Sequence, residues 1–330
     1  MGVKIRKKIR NWSLGILFLF IAAIALVYIT GQIAILKLAS YHPAPGYMVT
    51  SHDRQIHVHC EGSGQVAVFL IAGINEFSLQ WSQVKPLLAR ETKTCAYDRA
   101  GLGWSELGRH DPTIENAVKD MREVVHSVGE STPIVLVGHS YGALIARLYA
   151  QRYPSNVKAI VLLDPASEDM PERIAGYADV LDVVSAQFRS LSRLASFGLI
   201  ALSLENIPSG LLQGEAIAQY RTVLATGSFF KAASAETSEM INNLRVMKNI
   251  GQGVPLEIPV VIISRGLADP IPGLPESSSR SLEKIWLELQ TDLVVKMNAK
   301  HIIAEKSGHS IQLTEPELVF DAIRPFIRNK

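Results

Sequence analysis

No single sign of charge dominates this sequence, and it contains no repeat or low-complexity tract. Its net charge is only +2 over 330 residues, so no stripe of Lys and Arg is available to neutralise phosphates, and no nucleic-acid partner is expected. Metal ligands are equally sparse. His57 and His59 fall on one face of a strand-like run, but two ligands do not make a zinc site, and a solvated strand face is the simpler expectation. Cysteine occurs only twice, at Cys60 and Cys95.

Charge is also missing locally. Five of the first ten residues are Lys or Arg, yet none of the 26 residues from Asn11 to Leu36 is charged. A helix needs roughly 20 apolar residues to cross hydrocarbon, and this run outlasts the apolar core of a signal peptide. Small residues such as Ala23 and Ala25 would suit cleavage, but the apolar pattern continues past them. The expectation is an uncleaved membrane anchor over 11–36, preceded by a basic cytoplasmic tail over 1–10. Between residues 31 and 50 the only cation is Lys37, and the Lys/Arg bias therefore places the rest of the chain beyond the membrane. YHPAPGY (41–47) has the Pro and Gly content of a short stiff linker, assigned to 37–49.

With 48% hydrophobic residues, the remainder can bury a sizeable core. RQIHVHCEG (54–62), QVAVFLIAG (65–73) and TKTCAYD (92–98) read as strands. TIENAVKDMREVVHSVG (113–129) has helical apolar spacing, with Thr113 placed to cap its start and Gly129 its end. IVLVG, the helix YGALIARLYAQRY and the strand KAIVLLD (158–164) continue the alternation, which predicts a doubly wound α/β sheet. From 167 to 254 the rhythm gives way to helical stretches, an inserted helical cap. It returns with IPVVIIS (258–264), a helix around SLEKIWLEL, a strand around KHIIAE and a closing helix, so that 50–166 and 255–330 form the core.

One short motif stands at a strand–helix junction. Gly138-His139-Ser140-Tyr141-Gly142 follows an apolar strand and opens a helix, the setting of a nucleophile elbow, in which glycines permit a sharp turn and the helix N-terminus favours developing negative charge. A serine nucleophile demands a histidine base and an acid to orient it. Of the nine histidines only His301 and His309 follow Ser140; His301 begins its strand, whereas His309 follows it, at the carboxyl end where sites of open α/β sheets form. His309 is therefore the candidate base. Asp164 and Asp269 both follow strands in the right interval, and Asp269 is favoured because its strand immediately precedes His309. The oxyanion donors expected are the N–H of Tyr141, next after the nucleophile, and that of Ile74 in the loop after the second strand. Asn75 and Glu76 lie in the same loop, as substrate contacts or as solvated polar groups. Phe188, Phe197, Phe229 and Phe230 are expected to pack the cap on the core.

Over roughly residues 50 to 328 the sequence resembles the α/β-hydrolase superfamily, in particular its cap-bearing branch. Besides the elbow, YDRAGLGWS (97–105) is similar to that family's Tyr-Asp-x-x-Gly-x-Gly-x-Ser signature, and SGHSIQLTEPELV (307–319) resembles its histidine-bearing segment. The resemblance implies a mostly parallel sheet covered by helices on both faces. It also implies Ser140, Asp269 and His309 as a triad working without metal or organic cofactor. The expected activity is that of a serine hydrolase acting on a carboxylic ester of a small hydrophobic substrate. The same fold also supports non-ester hydrolysis, cofactor-free haloperoxidase chemistry and non-catalytic binding. Epoxide hydrolases and haloalkane dehalogenases of this family carry an aspartate at the elbow, where this chain has Ser140. Its oxyanion loop departs from the family as well, with Ala72-Gly73 in place of the frequent His-Gly. The family's strand order would set IHVHC beside TKTCAYD, which brings Cys60 and Cys95 within reach of a disulfide or leaves them as two buried thiols.

Overall fold

A computed structural model describes residues 2–129, 133–250, 256–269 and 276–328. The chain opens with α1 (Gly2–Tyr41), a single helix that includes the basic N-terminal stretch and the whole apolar run. Its span Ile9–Tyr41 is long and apolar enough to cross a membrane. Residues 37–49 are not a linker: α1 continues to Tyr41, and β1 (Tyr47–Ser51) pairs antiparallel with β2 (Arg54–Glu61). YMVTS escapes a pattern-based reading because it is a short edge strand that needs a partner to define it.

The chain continues through β3 (Val68–Ile71), α2 (Val84–Ala89), β4 (Thr94–Tyr97), α3 (Ile114–Ser127), β5 (Ile134–His139), α4 (Tyr141–Arg152) and β6 (Val157–Leu163). The cap follows as α5 (Met170–Arg173), α6 (Tyr177–Ser196), α7 (Glu215–Leu224) and α8 (Gly227–Ile250). The boundary expected between residues 254 and 255 lies outside the described residues. β7 (Val260–Arg265), α9 (Glu276–Lys296), β8 (Lys300–Ala304), α10 (Ile311–Thr314) and α11 (Pro316–Ile327) complete the core.

The eight strands run in the order β1-β2-β4-β3-β5-β6-β7-β8. The β1/β2 and β2/β4 pairs are antiparallel, and every pair from β4 to β8 is parallel. Alternate residues of one strand point to opposite faces. Thus Leu136, Ile160, Leu162 and Ile262 pack with α3 and α4 on one side, while Val135, Val137, Val161 and Ile263 pack with α2 and α11 on the other. Both faces are covered, which is why these strands are apolar throughout. Thr113 caps α3 by accepting from Asn116 N.

Because β3 inserts beyond β4, β2 lies directly beside β4 and its Cys60 faces Cys95. The two are joined in a disulfide, with Cα atoms 4.0 Å apart. His57, on the same strand, is not on a solvated face. It is fully buried, with Nδ1 donating to Asp98 Oδ2 at 2.8 Å and Nε2 to the carbonyl of Pro45. His59 is half-buried and meets Lys85 and Glu61. Each imidazole is thus committed to an internal partner.

A third apolar cluster joins cap to core: Phe229, Phe230 and Leu212 of the cap meet Phe77, Leu102 and Leu313 of the core loops, with Phe188 packed against them. Phe197 departs from the expectation. It is exposed, and its ring lies edge-on to Tyr28 of α1 rather than against the core.

Candidate active site

Three non-glycine residues with positive φ stand at or just beyond the carboxyl ends of neighbouring strands: Asn75 (φ 59) after β3, Ser140 (φ 49) after β5 and Asp164 (φ 40) after β6. Left-handed backbone costs a non-glycine residue of order 1 kcal/mol or more and persists only where the surroundings impose it. At Ser140 those surroundings are visible. Gly138 passes so close to α4 that a Cβ would fall 2.5 Å from Gly142 O, and a Cβ on Gly142 would fall 2.3 Å from Ile71 O. Only glycine at both positions lets the strand turn directly into the helix and hold Ser140 at the junction.

His309 lies in the loop after β8 and is partly exposed. Its Nδ1 donates to Asp164 Oδ2 at 2.5 Å. Asp164 is completely buried and also accepts from Trp286 Nε1 at 2.9 Å, from Arg265 Nη1 at 3.1 Å and from Arg265 N at 3.3 Å. Burial pushes its pKa up, but the hydrogen bond and charge of His309, the Arg265 charge and the Trp286 hydrogen bond outweigh that and hold it below the ordinary aspartate value. The carboxylate stays ionised and fixes the imidazole tautomer, leaving Nε2 as the lone-pair nitrogen.

This corrects the sequence-based choice of Asp269. Asp269 is exposed, four residues past the end of β7, and its Oδ2 accepts from the backbone N of His309, at 3.2 Å, rather than from its imidazole. The physical reason is strand order. β6 adjoins β5, which carries the elbow, whereas β7 stands one strand farther away. An aspartate turning over the end of β6 is therefore nearer the nucleophile.

A second carboxylate–imidazole pair lies beside the first. His139 Nδ1 donates to Glu76 Oε2 at 2.8 Å and Nε2 to the His309 carbonyl at 3.0 Å, with the two histidine rings 4.6 Å apart. Both partners of His139 are acceptors, so the ring makes both bonds as imidazolium. Burial alone would lower the His139 pKa, but the Glu76 charge and hydrogen bond, together with the His309 carbonyl, raise it. Glu76 is pushed up by burial but held lower by His139.

Glu76 also organises the loop after β3, since its Oε2 accepts from Gly73 N at 2.8 Å. From the other side comes Arg99, within the YDRAGLGWS segment, which donates to the Ala72 and Gly73 carbonyls at 2.7 and 2.6 Å. Its guanidinium pairs at 2.6 Å with Glu236 of cap helix α8, whose other oxygen accepts from Asn75 N at 2.6 Å. The amides of Gly73, Asn75 and Glu76 are thus committed, leaving that of Ile74 free of a partner among the described residues. Tyr141 N is the first amide of α4 and has no carbonyl of its own helix to meet. These are the two amides named as oxyanion donors from the sequence.

A family model for the alpha/beta hydrolase fold matches residues 66–239, more than half of the chain. The chain belongs to the alpha/beta hydrolase fold family. It is 25% identical over 333 residues to the uncharacterized protein YbdG of Bacillus subtilis (strain 168), covering 96% of this chain and 97% of that one. Among solved structures, this hydrolase is similar to the epoxide hydrolase CorEH, with TM-score 0.63, 20% identity and coverage of 85% and 97%. It is equally similar to a thermophilic esterase from Thermogutta terrifontis with malate bound, with TM-score 0.62, 19% identity and coverage of 86% and 97%. At these identities the structural likeness speaks for the fold alone.

Sequence reasoning about this hydrolase missed Arg99, His139, Glu236 and Trp286. Arg99 and His139 sit inside quoted motifs and were legible as neighbours of the site. Glu236 and Trp286 lie within helical stretches that give no local sign of what they reach.

Proposed function

We propose that this chain is a serine hydrolase acting on carboxylic esters with an apolar acyl or alcohol part. The observation that carries the reading is the buried Asp164 on His309 Nδ1, which leaves Nε2 as a base on the same side of the sheet as the strained Ser140. His309 takes the Ser140 proton as Oγ attacks the ester carbonyl. The tetrahedral oxyanion is met by the N–H groups of Tyr141 and Ile74, and collapse releases the alcohol with the proton returned by His309. Water activated by the same imidazole then frees the acyl group. Ser140 at the elbow favours acyl chemistry over opening of an epoxide. The apolar cluster of Phe77, Leu102, Phe229 and Phe230 between cap and core supports a hydrophobic substrate.

α1 serves as an uncleaved anchor with its basic end in the cytoplasm and the hydrolase domain beyond the membrane. The Cys60–Cys95 disulfide supports this placement, since such bonds persist in oxidising compartments.

A fluorophosphonate probe tests the nucleophile. Wild-type protein should be labelled and Ser140→Ala should not. Labelling that persists in the variant overturns the assignment of Ser140, and a folded wild type that takes no label overturns the serine-hydrolase reading.

A further inference from the structure

α1 is exposed along its apolar length up to Thr30 and meets the rest of the protein from about there on, at the turn after α6 and at α7. Gly31 packs against Gly198, in the turn after α6, so closely that a Cβ on Gly31 would lie 2.6 Å from Gly198 Cα. Tyr28 meets Phe197 edge-on with ring centroids 6.0 Å apart, and Gln32 Nε2 donates to Ser196 O at 3.0 Å. The position of this contact along the helix is informative. From Asn11, where the charged segment ends, to Gly31 is a rise of about 30 Å at 1.5 Å per residue, which is about the thickness of the hydrocarbon layer. With Arg10 at one face of a bilayer, the Gly31–Gly198 contact stands at the other.

The cap surface at that level is apolar. Leu194, Phe197, Leu199, Leu202 and Leu211 are 39 to 51% exposed, and no charged side chain occurs from Leu194 through Leu204. An apolar patch beside a membrane span finds its partner in the same bilayer. The patch is also continuous with the interior, because Ala195 and Leu212 belong to the apolar cluster that includes Phe77, Phe229 and Phe230, and Ile200 packs against it.

We infer that the α6–α7 turn of the cap rests in the headgroup–hydrocarbon boundary of the membrane that α1 spans. The Leu194–Leu211 surface then delivers apolar esters from the bilayer toward Ser140 by way of the cap–core cluster. The seating rests on the reading of α1 as an anchor, and the delivery rests in addition on the ester-hydrolase reading.

The full chain in phosphatidylcholine nanodiscs tests both. A bimane label on Leu202→Cys should be quenched by doxyl-labelled phosphatidylcholine and be several-fold less accessible to iodide than the same label on Val295→Cys. Val295 is exposed near the end of α9. Equal iodide accessibility without lipid quenching would overturn the seating. In the same discs, Phe197→Ser with Leu202→Ser should lower hydrolysis of a long-chain ester embedded in the disc about tenfold and leave a short-chain soluble ester unchanged. Equal rates on both esters would overturn delivery. A wild type that shows the quenching but cleaves neither ester would uphold the seating and overturn the ester-hydrolase reading.

Discussion

Two carboxylate–imidazole pairs stand side by side at the end of the sheet, and their exposure is inverted. In the Asp164–His309 pair the carboxylate side chain is 0% and the imidazole 28% exposed. In the Glu76–His139 pair the carboxylate is 20% and the imidazole 1% exposed. The same two functional groups therefore do different work. Among the described residues His309 has a side-chain partner on Nδ1 alone, the buried Asp164, which under the proposed reading leaves Nε2 for proton transfer. His139 has both nitrogens committed and ties the loop after β3 to the backbone of His309. Chemical identity alone does not mark the base; the number of unsatisfied ring nitrogens does.

The strongest way to break this comparison is at Asp164. Asp164→Asn should lower kcat about 10⁴-fold with little change in KM, because the amide stabilises the wrong imidazole tautomer. Asp269→Asn should cost less than tenfold, since Asp269 meets the main chain of His309 and not its imidazole. Steady-state kinetics on both variants decide the matter, and the reverse ranking would return the role to Asp269.

A smaller loss is expected at the second pair. Glu76→Gln removes the charge that holds both Gly73 N and His139. No proton of the reaction passes through it, so kcat should fall about 10- to 100-fold through displacement of the Ile74 amide, with KM nearly unchanged. A loss as large as that at Asp164 would mean that Glu76 belongs to the proton path.

The smallest effect is on stability against pH. The His139 pKa is raised in the folded protein, so its contribution is fully present below its ordinary value of about 6.5 and is lost as pH rises through the higher folded value. Those of Glu76 and Asp164 are lowered, and their contributions are present above the ordinary carboxylate range and lost as pH falls through the depressed values. Thermal melts of the wild type should therefore show a falling limb of Tm above about pH 6.5 that is shallower in His139→Gln, where His57 with its raised pKa still contributes, while Asp164→Asn retains it in full. An identical alkaline limb in wild type and His139→Gln would exclude His139 as a folded-state imidazolium.

Much of the site can be read from short stretches because the governing forces act over a few residues. The elbow needs a buried strand, two glycines and a helix start, all within Ile134–Arg152, and its geometry fixes Ser140 and the Tyr141 amide together. His309 has a single rival after Ser140, His301, and is set apart from it by following the last strand rather than beginning it. The apolar length of α1 is a property of consecutive residues, as is the alternation of strands and helices. The edge strand β1, by contrast, reads as part of a linker, because its five residues turn only Val49 and Ser51 inward and take their identity from β2.

What the sequence determined by itself was therefore the fold class, the membrane-length helix, the nucleophile elbow and the histidine after the last strand, all written in local periodicity and chain order. Only the tertiary structure chose Asp164 over Asp269, set Glu76 on His139, brought Glu236 of the cap to Arg99 and laid Cys60 opposite Cys95. Each of these joins residues far apart in the chain, 145 positions in the case of Asp164 and His309. The partner across such a gap depends on which strands are neighbours and in what register, and that is fixed when the whole core packs rather than by the residues flanking either group.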